Sequence, residues 1–140
     1  MKIYVASSWR NRKQPNVVAF LRKLGHEVYD FRRPWGEVDG FHWSDIDPNW
    51  KNWDPETFRE ALDSPIAQKG FGKDFSAMKW ADAFVMVMPC GASAHLETGW
   101  AAGQGKPTAI LLCDGEPELM YNMVTLVTSL EELKNWLHDL

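Results

Sequence analysis

Two acidic residues, Glu97 and Asp74, stand where a pair of carboxylates could act on one substrate. Glu97 falls early in a predicted helix that follows the apolar run 83–88, and Asp74 falls near the start of the predicted helix before that run. One carboxylate can attack a sugar carbon while a second assists the leaving group. The pair therefore favours displacement at an anomeric carbon. The alternative is that Asp74 caps its helix and Glu97 is an ordinary exposed glutamate.

The elements that must position this pair alternate between strands and helices. The predicted strands are 2–6, 27–31, 83–88, 108–112 and 126–127. The predicted helices begin at Pro15, Pro55, Lys73, Ser93 (as N-cap) and Ser129 (as N-cap). This alternation predicts a single α/β domain, 1–140, with a flavodoxin-like (Rossmann-like) five-stranded parallel sheet in the order 2-1-3-4-5.

In that strand order, ligands bind between strands one and three, outside their carboxyl ends. The residues expected to line this crevice and bind substrate are Ser7, Ser8, Trp9 and Arg10 after the first strand, and Gly91 and Ser93 after the third. The N-terminus of the following helix is expected to keep Glu97 ionised and to help hold a phosphate.

Helix direction separates the two aspartates near the third strand. The helix before this strand runs antiparallel to it, so its N-terminal end lies at the carboxyl edge of the sheet. Asp74 is therefore expected at the same edge as Glu97, whereas Asp82 is expected at the opposite edge. His95 and Cys90 lie close to the crevice, and both are interpreted as packing residues, with a catalytic role for His95 left open.

Residues 32–72 interrupt the alternation with a loop-rich insertion that holds four of the eight tryptophans. A loop region of this length in a compact domain is usually functional or disordered, and the tryptophans argue against disorder. The insertion is either a satellite core or a lid whose aromatic rings stack on a nucleobase. The stacking candidates are Phe41, Trp43 and Trp50, and the nearby Asp45 and Asp47 are expected to stabilise a turn.

The composition excludes several classes of function. A net charge of −4 without a basic patch argues against bulk nucleic acid as a partner. Two unpaired cysteines and the lack of a long apolar segment predict a cytoplasmic protein without a membrane partner. The four histidines are scattered, so no metal site and no cofactor are predicted.

Four segments together resemble the nucleoside 2-deoxyribosyltransferase family, including its branch of 2′-deoxynucleoside 5′-phosphate N-hydrolases. They are residues 3–10, the Asp74 and Asp82 pair, residues 93–99 around Glu97, and residues 101–107. One departure is Gly91, which stands where the transferases carry an aspartate and the phosphate hydrolases a serine.

The resemblance implies a role for each matched residue. Glu97 would attack C1′ of the sugar, and Asp74 would contact the base or sugar and help to transfer a proton. Ser8 and Arg10 would contact a 5′-phosphate, and Asn122 would reach the site of a neighbouring subunit in a homodimer or higher homo-oligomer. The expected reaction is cleavage of the N-glycosidic bond of a (deoxy)nucleoside or nucleoside 5′-monophosphate, by hydrolysis or base transfer.

Two other functions fit the same residues. A catalytic glutamate on a helix of a flavodoxin-like sheet also occurs in NAD-cleaving domains of the Toll/interleukin-1-receptor type. A nucleotide-binding module without catalysis, closed by the tryptophan-rich insertion, is the second alternative.

Overall fold

The five strands form one parallel sheet in the order β2-β1-β3-β4-β5, which confirms the predicted fold. In this computed structural model, which describes residues 1–140, the strands are β1 (Lys2–Ala6), β2 (Glu27–Asp30), β3 (Ala83–Val87), β4 (Thr108–Leu111) and β5 (Thr125–Val127). The helices are α1 (Gln14–Lys23), α2 (Pro55–Leu62), α3 (Pro65–Trp80), α4 (Ala92–Gly103) and α5 (Leu130–His138). No helix is long and apolar enough to cross a bilayer.

The central strand β3 is buried along its whole length because helices cover both faces of the sheet. On one face, aromatic and other apolar side chains of the central strands pack against α3 and α4. On the other face, smaller aliphatic side chains pack against α1 and α5. This arrangement leaves the carboxyl edge of β1 and β3 as the place where loops can form a site.

Helix α3 is longer than predicted, because it begins at Pro65 and Ser64 caps it by accepting a hydrogen bond from the backbone N–H of Ala67. The interpretation of Asp74 as an N-cap is therefore wrong, since Asp74 lies inside the helix. The internal glycines suggested an interruption, yet Gly70 serves packing instead: a Cβ there would lie 3.0 Å from the Cβ of Phe41. The predicted N-cap at Ser93 is also wrong, because α4 is capped at Gly91.

The insertion after β2 is held together by contacts among its own aromatic side chains. Trp43 contacts Phe41, Trp53 and Phe58, with ring centroids 4.8, 5.8 and 5.3 Å away. Asp47 stabilises a turn, as predicted, since it accepts hydrogen bonds from the backbone N–H of Asn49 and the indole N–H of Trp53.

Gly40 fixes the approach of the insertion to the sheet. A Cβ at this position would lie 2.2 Å from the carbonyl oxygen of Phe31 and 3.1 Å from Cζ2 of Trp9. We expect Gly40→Ala to lower the free energy of unfolding by about 3 kcal/mol, because backbone would have to move. Urea denaturation measures this, with Gly72→Ala as the matched control, since a Cβ at Gly72 meets nothing within 4 Å. Equal stability of the two variants would contradict the packing role of Gly40.

Candidate active site

A cleft of about 460 Å³ opens at the carboxyl edge of β1 and β3. It brings together Glu97, Asp74 and nearly all of the predicted substrate-binding residues. Its lining comprises Ser7, Ser8, Trp9, Arg10, Phe31, Phe41, His42, Trp43, Ser44, Trp50, Asp74, Gly91, Ala92, Ser93, Ala94 and Glu97. The stacking candidates Phe41, Trp43 and Trp50 thus belong both to the packed insertion and to the wall of the cleft.

Asn122 is the one predicted substrate-binding residue that does not line this cleft. Its side-chain amide donates to the carbonyl oxygen of Leu119, it is exposed, and it borders a separate cavity beside β4. Its predicted role in a neighbouring subunit's site stays a prediction. Asp82 lies at the opposite edge of the sheet, where it accepts a hydrogen bond of 2.9 Å from the backbone N–H of Lys2.

The loops after β1 and β3 are joined by hydrogen bonds that the sequence did not reveal. Ser7 Oγ donates to the carbonyl oxygen of Val87 at 2.9 Å. The buried Asn11 donates from Nδ2 to the carbonyl oxygens of Val87 and Pro89, both at 3.1 Å. Its Oδ1 accepts from the backbone N–H groups of Lys13 and Gln14 at the start of α1. Asn11 therefore joins both loops of the cleft to the first helix.

Arg32, which follows β2, stabilises the β1–α1 loop through hydrogen bonds. One terminal nitrogen of its guanidinium donates to the carbonyl oxygens of Ser8, Trp9 and Asn11 at 3.4, 2.9 and 2.7 Å. The guanidinium also lies 5.5 Å from the ring centroid of Trp9. No sequence motif marks Arg32, since its partners are backbone carbonyls that only the folded loop presents.

Arg10 contributes a positive charge without a protein partner. Its backbone N–H binds Ser8 Oγ at 3.1 Å, but its exposed guanidinium makes no hydrogen bond or ion pair. Ser8 and Ser93 line the same cleft, together with the N-terminal end of α4. Hydroxyls, a free guanidinium and a helix N-terminus are all suited to an anionic group on a ligand.

Glu97 is held in an unusual electrostatic environment. Its burial, together with the negative charge of Asp74, raises its pKa to about 8, and the nearby Tyr4 hydroxyl opposes this rise. That hydroxyl lies beside Glu97 but has no partner at full hydrogen-bond geometry. The expectation that the helix N-terminus keeps Glu97 ionised is therefore wrong, because burial and the charge of Asp74 favour the protonated form of Glu97.

Asp74 differs from Glu97 in having a formed hydrogen bond. The phenol of Tyr29 donates to its Oδ1 at 2.7 Å. Burial raises the pKa of Asp74, while the Tyr29 hydrogen bond and the charge of Lys73 act against that rise. Two interacting carboxyl groups titrate as a pair, and the proton stays longest on Glu97, whose pKa the charge of Asp74 raises.

His95 and Cys90 support the loop after β3. The carbonyl oxygen of Gly91 can only accept, so His95 Nδ1 donates to it at 2.7 Å. In the neutral imidazole, Nε2 then accepts from the Tyr121 hydroxyl at 2.7 Å. Burial, with the charge of Glu97, raises the pKa of the Cys90 thiol to about 11, which keeps it protonated. Neither side chain lines the cleft.

Fold and cleft together define a flavodoxin-like domain with a pair of carboxyl groups at its switch point. No protein-family model and no curated protein matches the sequence. Solved structures that share the fold include a deoxyribosyltransferase and an N-glycosidase. A 2-deoxyribosyltransferase from Bacillus psychrosaccharolyticus is 23% identical, with a TM-score of 0.60 over 96% of this chain and 91% of the other. A CMP N-glycosidase from Clostridium botulinum is 19% identical, with a TM-score of 0.52 over the full length of both chains.

Proposed function

We propose that this protein is an enzyme that breaks the N-glycosidic bond of a small (deoxy)nucleoside or nucleoside 5′-monophosphate, with Glu97 as the nucleophile. The observation that carries the proposal is the placement of Glu97 and Asp74 in one cleft at the switch point, where burial and the charge of Asp74 raise the pKa of Glu97. Two of the solved structures that share the fold are, by name, a deoxyribosyltransferase and an N-glycosidase, which supports the same bond type.

One proton held by the two carboxyl groups suits the two halves of the reaction. In the free protein the raised pKa of Glu97 keeps a proton on that group near neutral pH, and before bond cleavage this proton passes to Asp74 and leaves Glu97 ionised. Glu97 then attacks C1′, the bond from C1′ to the base nitrogen breaks, and its electron pair leaves with the base. Asp74 gives its proton to the departing base and becomes a carboxylate.

The resulting glycosyl ester on Glu97 is resolved from the same cleft. A water molecule or a second base attacks C1′, and the Asp74 carboxylate takes the proton that the attacking group loses. The ester bond breaks, and the pair again carries one proton. Water as acceptor gives hydrolysis, whereas a base as acceptor gives transfer.

Base release from a panel of substrates tests the proposal. The panel contains deoxynucleosides, ribonucleosides and their 5′-monophosphates, each with and without a second free base, and chromatography detects the released or exchanged base. We expect release from at least one member and its loss in Glu97→Gln. No release from the whole panel, in an assay where a nucleoside hydrolase is active, would overturn the proposal.

Arg10 is expected to select for a phosphate on the substrate. We expect Arg10→Ala to raise KM for the preferred monophosphate roughly 10- to 100-fold, the size of a charge-assisted hydrogen bond, and to leave the matching nucleoside unaffected. Steady-state kinetics on both substrates measures this. Arg12→Ala is the control, since Arg12 is exposed outside the cleft. An equal loss on both substrates would contradict phosphate recognition by Arg10.

We also propose a cytoplasmic homo-oligomer whose subunits complete each other's sites. Apolar side chains around Asn122 support this, since Leu119, Met120 and Met123 are 79%, 61% and 61% exposed. Exposed apolar groups in one patch are typical of protein interfaces. Sedimentation tests the assembly, and a monomer at the assay concentration that is fully active would contradict it.

A further inference from the structure

A row of three aromatic rings crosses the sheet beneath the two carboxyl groups. Tyr29 of β2, Tyr4 of β1 and Phe84 of β3 are register partners, and their rings stack with centroids 5.3 and 4.8 Å apart. All three are at most 2% exposed. Register partners point to the same face of a sheet, so both phenols lie on the face that α3 and α4 cover.

The two phenols serve the carboxyl groups differently. Tyr29 donates to Asp74 Oδ1 at 2.7 Å, and Asp74 Oδ2 has no hydrogen-bond partner in the protein. Tyr4 lies beside Glu97 without a formed hydrogen bond. Asp74 therefore has one oxygen fixed and one oxygen free, and the residue itself lines the cleft.

Trp35 contacts the ring of Tyr29, as Tyr4 does. The backbone of Trp35 has φ 54° and ψ 29°, and it is the only residue other than glycine with positive φ. Its indole contacts Tyr29 and Trp80 edge-on, with centroids 5.1 and 5.3 Å away. The ring of Tyr29 is thus in contact with both Tyr4 and Trp35, and it is 2% exposed.

We propose that Tyr29 is a positioning residue that fixes Oδ1 of Asp74, so that Asp74 meets the leaving base through Oδ2, with Trp35 holding the phenol in place. The identity of the leaving group rests on the proposed function, whereas the hydrogen bond from Tyr29 to Asp74 does not. The charged and titratable groups that face Asp74 are Tyr29 from β2, Tyr4 from β1, Lys73 from its own helix and Glu97 from α4.

A double-mutant cycle with Tyr29→Phe and Asp74→Ala tests the proposal on the substrate found by the panel. We expect Tyr29→Phe alone to lower kcat roughly 10- to 100-fold, with KM changed less than about threefold, since a charge-assisted hydrogen bond is lost. In the Asp74→Ala background the same change is expected to alter kcat less than about twofold. An equal loss in both backgrounds would overturn the proposal.

A second readout needs no substrate. Carbon-13 NMR of labelled aspartate follows the Asp74 carboxyl group through a pH titration, and Tyr29→Phe is expected to raise its pKa because the ionised form loses a donor. Thr108→Val is the control, since it removes a buried hydroxyl that binds the carbonyl oxygen of Lys106 far from the cleft. An unmoved Asp74 titration in Tyr29→Phe would overturn the proposal. If the wild type releases no base, the proposed function fails, and this titration still decides the role of Tyr29.

Discussion

Glu97→Gln is expected to reduce base release at least about 1,000-fold, with substrate binding retained. Glutamine keeps the size of the side chain but cannot form the glycosyl ester, so the covalent route is closed. Removal of a nucleophile that works as a unit with a second group costs orders of magnitude in kcat. The assay is base release under saturating substrate, and calorimetry reports binding separately.

Two further variants make this expectation specific to nucleophilic attack. Glu97→Ala leaves space for a small external carboxylate, so added formate is expected to restore part of the lost activity. Glu131→Gln, on α5 at the opposite face of the sheet, is the matched control and is expected to keep wild-type activity. Retention of more than a tenth of the activity in Glu97→Gln would rule out Glu97 as the nucleophile.

The second large effect concerns stability and its dependence on pH. The pKa of Glu97 is raised from 4.5 to about 8 in the folded protein. Between these values the folded state holds a proton that the unfolded chain has released, so the stabilising contribution is complete below pH 4.5 and is lost as pH rises through 8. Glu97→Gln cannot release this proton, and the variant is therefore expected to become progressively more stable than the wild type between pH 5 and 8.

The difference in unfolding free energy between Glu97→Gln and the wild type is expected to grow by up to about 1.4 kcal/mol per pH unit. This amounts to about 2 kcal/mol between pH 6 and 8 for this partly exposed group. Urea denaturation at several pH values measures the difference between the two proteins. Asp54→Asn is the control, because the stabilising contribution of Asp54 changes with pH in the opposite direction. The backbone N–H of Thr57 lowers the pKa of Asp54, so its contribution is lost only as pH falls below about 3.8. A pH-independent difference between wild type and Glu97→Gln would contradict the environment described for Glu97.

The place of the site was predictable because it depends on topology. Strand order follows from the alternation of elements, and the order alone directs Ser7, Arg10 and Glu97 to one edge. Asp74 was placed at the correct edge although its helix begins eight residues earlier than predicted, since helix direction does not change with helix length. Asp82 was assigned to the opposite edge by the same argument, which its hydrogen bond to the N–H of Lys2 confirms.

The contacts that hold the site residues in place were not predictable, because they depend on which side chains and carbonyl groups meet in the folded protein. Arg32 and Asn11 bind backbone carbonyls of loops distant in sequence, and no residue pattern encodes such partners. Tyr4 and Tyr29 carried a weak signal, since both alternate onto one face of neighbouring strands, but only the register places one beside the other. The raised pKa of Glu97 depends on burial, which helical spacing alone does not report.

The insertion has a consequence for how this protein could be re-engineered. Its aromatic wall rests on two glycines, Gly40 and Gly70, whereas both carboxyl groups belong to helices α3 and α4. Phe41 packs on Gly70 of α3, the helix that carries Asp74, whereas the rest of the aromatic wall belongs to a separate segment. A library confined to residues 42–58 is therefore expected to change the substrate range while Phe41 and the two carboxyl groups stay in place.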